Sequence, residues 1–103
     1  MSEEAPPLAP LQVASLDDAK LDDLFTDLEA LAVDLEVTLR HQAVGGEVSE
    51  GAYQRSSLSE ARASLRAREV LGVKIRYAFG GARWWDTLIP LESGARLVRM
   101  KDT

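Results

Sequence analysis

Residues 73–101 carry the pattern that most restricts what this chain can become. Val73, Ile75, Tyr77 and Phe79 alternate with Lys74, Arg76 and Ala78. Apolar residues at every second position mark a strand with one buried face, because successive side chains leave a strand on opposite sides. Gly80-Gly81 follows, and adjacent glycines suit the positive φ angles of a hairpin turn. "RWWDTLI" then reads as a returning strand, Pro90 to Gly94 as a second turn and "ARLVRM" as a third strand. Such a meander needs a helix on its apolar face to be stable.

Upstream, the period is that of a helix. Leu21, Leu24, Leu28, Leu31 and Leu35 follow 3-4 spacing, and Phe25, Ala32 and Leu39 flank that line. This predicts one long helix over 16–43, with Ser15 as N-cap and "VGGE" at 44–47 as its stop. About 28 residues at 1.5 Å each make about 42 Å. A sheet of three strands cannot cover that length, and an uncovered leucine stripe is an exposed apolar patch. Self-association through Leu21, Leu24, Leu28, Leu31 and Leu35, as a homodimer, is therefore expected. A second helix is predicted from Ser57, which forms an S-x-x-E capping box with Glu60. Leu58, Ala61 and Leu65 supply its apolar line. The expected class is α+β: a long N-terminal helix, a short second helix, then a three-stranded antiparallel β-meander. Residues 1–14, acidic and proline-rich, read as a tail, 48–56 as a loop, and 15–103 as a single domain.

Trp84 and Trp85 are adjacent in a strand, so they face opposite sides. A two-residue Gly80-Gly81 loop pairs Tyr77 with Trp84 and puts Asp86 on the core face opposite Ile75. A carboxylate without a partner there is costly. A three-residue loop, Gly80-Gly81-Ala82, pairs Tyr77 with Trp85 and sets Asp86 opposite Arg76 on the other face, where opposite charges attract. The second register is expected. It buries Trp85 and leaves Trp84 on the far face with Lys74, Arg76 and Leu88, near Arg83. Tryptophan among arginines is the composition of a binding centre, so Trp84, Arg76, Leu88, Lys74 and Arg83 are the candidate partner-binding residues. The third strand is open: Val98 and Met100, or Ala95 and Leu97, face the core.

The net charge of −5 conceals a split. Residues 1–50 hold 12 acids and 2 bases, whereas 51–103 hold 5 acids and 10 bases. The halves can neutralise each other, with Arg62, Arg66 and Arg68 facing the acidic first helix, or can each meet a charged partner. Asp18–Asp22 and Asp23–Asp27 are spaced to share a divalent cation but read as a solvated acidic face. The chain has no cysteine and one histidine, His41, which leaves no recognisable metal site, cofactor site or catalytic set. The N-terminus lacks a basic, then apolar, leader, and no apolar run approaches the roughly 20 residues of a membrane span, so a cytoplasmic protein without membrane contact is expected. The functional expectation is a small non-enzymatic interaction or regulatory module that binds a protein partner through the meander. The alternative is a nucleic-acid-binding protein using the basic, aromatic-bearing sheet.

Overall fold

The computed structural model describes residues 12–41 and 53–102. Its elements run β1 (Gln12–Leu16), α1 (Asp18–Leu31), β2 (Val33–Arg40), β3 (Tyr53–Ser56), α2 (Leu58–Ala67), β4 (Gly72–Phe79), β5 (Ala82–Pro90) and β6 (Ala95–Asp102). All six strands join one antiparallel sheet in the order β1-β6-β5-β4-β2-β3. The two helices pack on one face of it. The three C-terminal strands expected from the alternation are present, but they form half of a larger sheet. The long-helix, three-strand architecture is thus corrected to two short helices on a six-stranded antiparallel sheet.

The correction turns on residues 32–40. The helix opens at Asp17, not Ser15: the Asp17 carboxylate accepts from the Lys20 amide at 2.8 Å, while Ser15 belongs to β1. It closes after Leu31, where Ala32 takes an extended conformation and its N–H donates to the Leu28 carbonyl. Asp34 then adopts a left-handed φ of 55°, a conformation that aspartate accepts more readily than most residues. The pairing of β2 with β4 is irregular between Val33 and Glu36. Beyond that bulge Val37 and Leu39 are buried opposite Ile75 and Val73. Val33, Val37 and Thr38 are β-branched, which favours a strand over a helix.

The helix of 14 residues is about 21 Å long. Its own sheet covers most of its apolar face, with Leu21, Phe25 and Leu28 buried and Leu24 packed against the core. The geometric reason for pairing two helices along a 42 Å stripe is gone. α2 starts where expected, with the Glu60 amide donating to Ser57 Oγ at 3.2 Å. Ala61 and Leu65 are buried from its inner face, with Leu58 partly so. These side chains meet Val37, Leu39, Val73, Ile75, Tyr77, Leu88, Ala95 and Leu97 from the sheet. Ala95 and Leu97, not Val98 and Met100, are thus the core-facing residues of β6.

Two edges were not foreseen. Gln12–Leu16 pairs with β6, so part of the expected tail is strand; residues 1–11 lie outside the described residues. Tyr53–Ser56 pairs with β2 as the opposite edge, while the expected "VGGE" stop at 44–47 and residues 48–52 of the expected loop lie outside the described residues. Gly94, with φ 78°, sits where β6 begins beside the end of β1, and a Cβ there would fall 1.8 Å from the Leu16 carbonyl oxygen.

Candidate functional site

The β4–β5 hairpin sets which side chains face the helices. Gly80 and Gly81 have φ of 63° and 82°, the double positive φ of a two-residue type I′ turn. Phe79 therefore pairs with Ala82, Tyr77 with Trp84 and Ile75 with Asp86. The three-residue register and the Arg76–Asp86 pair expected from the sequence do not occur. Asp86 lies on the helix-covered face with no solvent exposure. The strand register supplies its partner from the third strand: Arg99 stands opposite Asp86 and donates from Nε and Nη2 to the two carboxylate oxygens at 2.8 Å each. The Tyr77 hydroxyl adds a third bond at 3.0 Å. Burial, reinforced by the Asp86 charge, pushes the Tyr77 phenol well above its ordinary value. The hydrogen bonds to Asp86 raise Arg99 likewise. Three groups that satisfy one another in the core make a structural clamp.

This register exchanges the roles of the tryptophans. Trp84 faces the helix side, packed against the core, and its indole N–H donates to the Phe79 carbonyl at 3.2 Å. Leu88 is fully buried opposite Val73 and Leu97. Neither stands on the free face proposed for it. Lys74, Arg76 and Arg83 do, and Trp85 joins them: Arg76 pairs with Trp85, Lys74 with Thr87 and Ala78 with Arg83. The sequence signal that could have found Trp85 was the Gly-Gly turn itself, since both glycines favour the two-residue loop.

No helix covers this second face among the described residues. It bears Arg40, Arg55, Lys74, Arg76, Arg83 and Arg96 against Glu36 and Asp102. Six positive and two negative side chains give it a surplus of four positive charges, in a chain whose net charge is −5. Between β3, β2, β4 and β5 lies an open trough of about 710 Å³. Three rows of side chains cross it. Tyr53 and Arg40 form one end with Leu71, Gly72 and Ile89; Thr38, Lys74 and Thr87 form the middle; Glu36, Arg76 and Trp85 form the far end. Gly72 leaves the floor of the first row without a side chain.

The far end is held by cation–π contacts. The Arg76 guanidinium carbon lies 4.7 Å from the Trp85 ring centre and Lys74 Nζ 4.8 Å from it, well inside the range of this attraction. The Trp85 indole N–H donates to Asp102 at 3.1 Å, which fixes the ring. Arg76 itself is loosely partnered. It reaches Glu36 only at 3.5 Å, and Arg55 reaches the same carboxylate at 3.5 Å. The Arg76 Nε is buried and has no hydrogen-bond partner. Lys74 has no carboxylate within ion-pair distance among the described residues.

The remaining candidates separate. Of the leucines expected to self-associate, Leu21 and Leu28 are buried in the chain's own core, and Leu24 and Leu35 pack against it. Leu31 alone is largely exposed, at 59%. The acidic helix does meet the basic one: Asp22 accepts from Arg62 at 2.7 Å and from Arg66 at 3.5 Å. Arg68 instead donates to the Leu91 and Glu92 carbonyls. His41 Nε2 lies 3.0 Å from Gln54 Oε1, joining the ends of β2 and β3. Among the described residues no three His, Asp or Glu side chains are grouped to hold a metal, and no helix is long and apolar enough to cross a membrane. No family model matches the sequence, and comparison with curated proteins and with solved structures returns no match.

Proposed function

We propose that the chain is a non-enzymatic interaction module that holds a protein partner on the helix-free face of its sheet. The observation that carries this reading is the trough itself. A helix-backed sheet leaves one face open, and that face gathers Lys74 and Arg76 around Trp85 over a hollow floored by Gly72. Arginine and tryptophan supply much of the binding energy of protein interfaces. A rigid sheet presents them without a large ordering cost. Glu36, the carboxylate in the lining among the described residues, is shared by Arg55 and Arg76, which supports a role in holding charge over one in catalysis.

A second reading, single-stranded nucleic acid on the same face, is favoured by the six cations and by Tyr53, half-exposed beside Arg40. It is the weaker of the two. Stacking platforms need a bare ring face, and two cations already lie against Trp85. The acidic helix surface also repels a phosphate chain. The test is affinity capture from the native host with wild type and with Lys74→Glu/Arg76→Glu, both checked for equal unfolding midpoints. Loss of a protein from the variant's captured set supports the reading. Identical sets from both proteins overturn it.

A further inference from the structure

We propose that the trough takes an extended acidic segment bearing an apolar residue, which rests on the reading of the open face as a protein-binding surface. The two ends of the trough differ in chemistry. One end is mainly apolar, with Arg40 lying over Tyr53 at its edge: Tyr53, Leu71 and Ile89 are 50%, 45% and 41% exposed around the bare floor at Gly72. The middle and other end carry two cations, Lys74 and Arg76, against one carboxylate, Glu36. Lys74 has no carboxylate partner among the described residues, and most of the Arg76 donors are unused or held only at 3.5 Å. A guanidinium in that state favours a planar carboxylate, which accepts two of its N–H groups at once. An apolar side chain over Gly72 would remove Tyr53, Leu71 and Ile89 from water together.

The spacing of the rows sets the spacing of the ligand. The rows at Gly72, Lys74 and Arg76 are two residues apart along β4, about 7 Å per step. A segment lying along the strands in extended form has the same period, with alternate side chains facing the sheet. The fitting pattern is an apolar residue with acids two and four positions away. Charge complementarity selects acid over base at those positions, since the face carries its positive surplus while the chain as a whole is negative.

The experiment titrates the full-length protein, at low salt and followed by tryptophan fluorescence, with four probes. One peptide has leucine with glutamates two and four residues away. The second carries lysine for each glutamate, the third carries serine for the leucine, and the fourth is oligothymidylate of matched charge. The first peptide is expected to bind, with affinity falling as salt rises. The lysine and serine peptides should each bind at least about tenfold more weakly. Arg76→Gln should weaken the first peptide by about tenfold to a hundredfold, and Arg76→Lys by less, because it keeps the charge without the bidentate fork. Equal unfolding midpoints for the variants exclude a folding defect. Tighter binding of the lysine or serine peptide overturns the acidic, apolar chemistry while leaving the open face as a protein-binding surface. Tighter binding of the oligonucleotide, lost in Arg76→Gln, overturns both in favour of nucleic acid. Failure of all four probes overturns the acidic, apolar chemistry, and overturns the open face as well when Arg76→Gln captures the same proteins as wild type.

Discussion

Replacing Arg99 by leucine strips the buried Asp86 carboxylate of its cation. Asp86 has no solvent exposure, and Arg99 donates two of its three hydrogen bonds at 2.8 Å. Leaving a buried charge without its partner costs about 3–5 kcal/mol. For a domain this small, with an m-value of about 1–1.5 kcal/mol per molar of urea, the midpoint falls by roughly 2–5 M. Tyr77→Phe removes only the third bond, at 3.0 Å, and costs about 1 kcal/mol. Asp86→Leu/Arg99→Leu removes both charges and should recover to within about 1.5 kcal/mol of wild type. Equilibrium urea unfolding followed by tryptophan fluorescence measures all three. A cost below about 1 kcal/mol for Arg99→Leu, the range of an exposed pair, refutes the reasoning. So does a double variant no more stable than Arg99→Leu alone.

Three further outcomes follow from the fold. Gly94→Ala should destabilise by more than about 2 kcal/mol, because its Cβ falls on the Leu16 backbone at a φ of 78°; an unchanged urea midpoint would contradict the β1–β6 junction. Tyr77 is raised above its ordinary 10.0 by burial and then by Asp86. Its neutral form is thus the folded form, and its contribution holds below pH 10.0 and is lost as pH climbs through the raised value. In Tyr53→Phe protein, phenolate absorbance should therefore appear only as circular dichroism reports unfolding; a reversible titration near 10.0 with the fold intact would contradict the clamp. Asp34→Gly should change stability by less than about 1 kcal/mol, since glycine takes the φ of 55° freely but loosens the unfolded chain by a similar amount; a loss above about 2 kcal/mol on thermal unfolding would place the α1–β2 break elsewhere.

The parts of the fold that could be read from the residues were those whose signals are local. The alternation at 73–79 and the Ser57–Glu60 box are each read within a few neighbouring residues, and each forms where expected; the glycine pair marks the turn, though not the three-residue loop expected of it. The long helix failed because Leu35 and Leu39 fit both periods. They continue the 3-4 line of Leu21 to Leu31, and with Val33 and Val37 they also alternate as a strand. The β-branched residues tip that balance toward the sheet, a weak preference that pairing with β4 makes decisive. Gln12–Leu16 and Tyr53–Ser56 are short, mostly exposed edges, so burial leaves little trace of them in the sequence. The hairpin register failed for a non-local reason. Burying Asp86 is tolerable only because Arg99 stands opposite it on β6, a strand whose own register the sequence left open. The candidate site followed that error: Trp84 and Trp85 exchanged faces, while Lys74 and Arg76 kept theirs.

The two indole N–H resonances test the central claim directly, because they report from opposite faces of one strand. Trp84 donates to the Phe79 carbonyl on the helix side and Trp85 to Asp102 on the open side. In isotope-labelled protein titrated with the leucine-and-glutamate peptide, the Trp85 indole signal should shift together with the backbone amides of Lys74, Arg76 and Thr87. The Trp84 indole and the amide of Leu88 should stay in place. A shifting Trp84 indole with an unmoved Trp85 would contradict the assignment of the open face as the binding face.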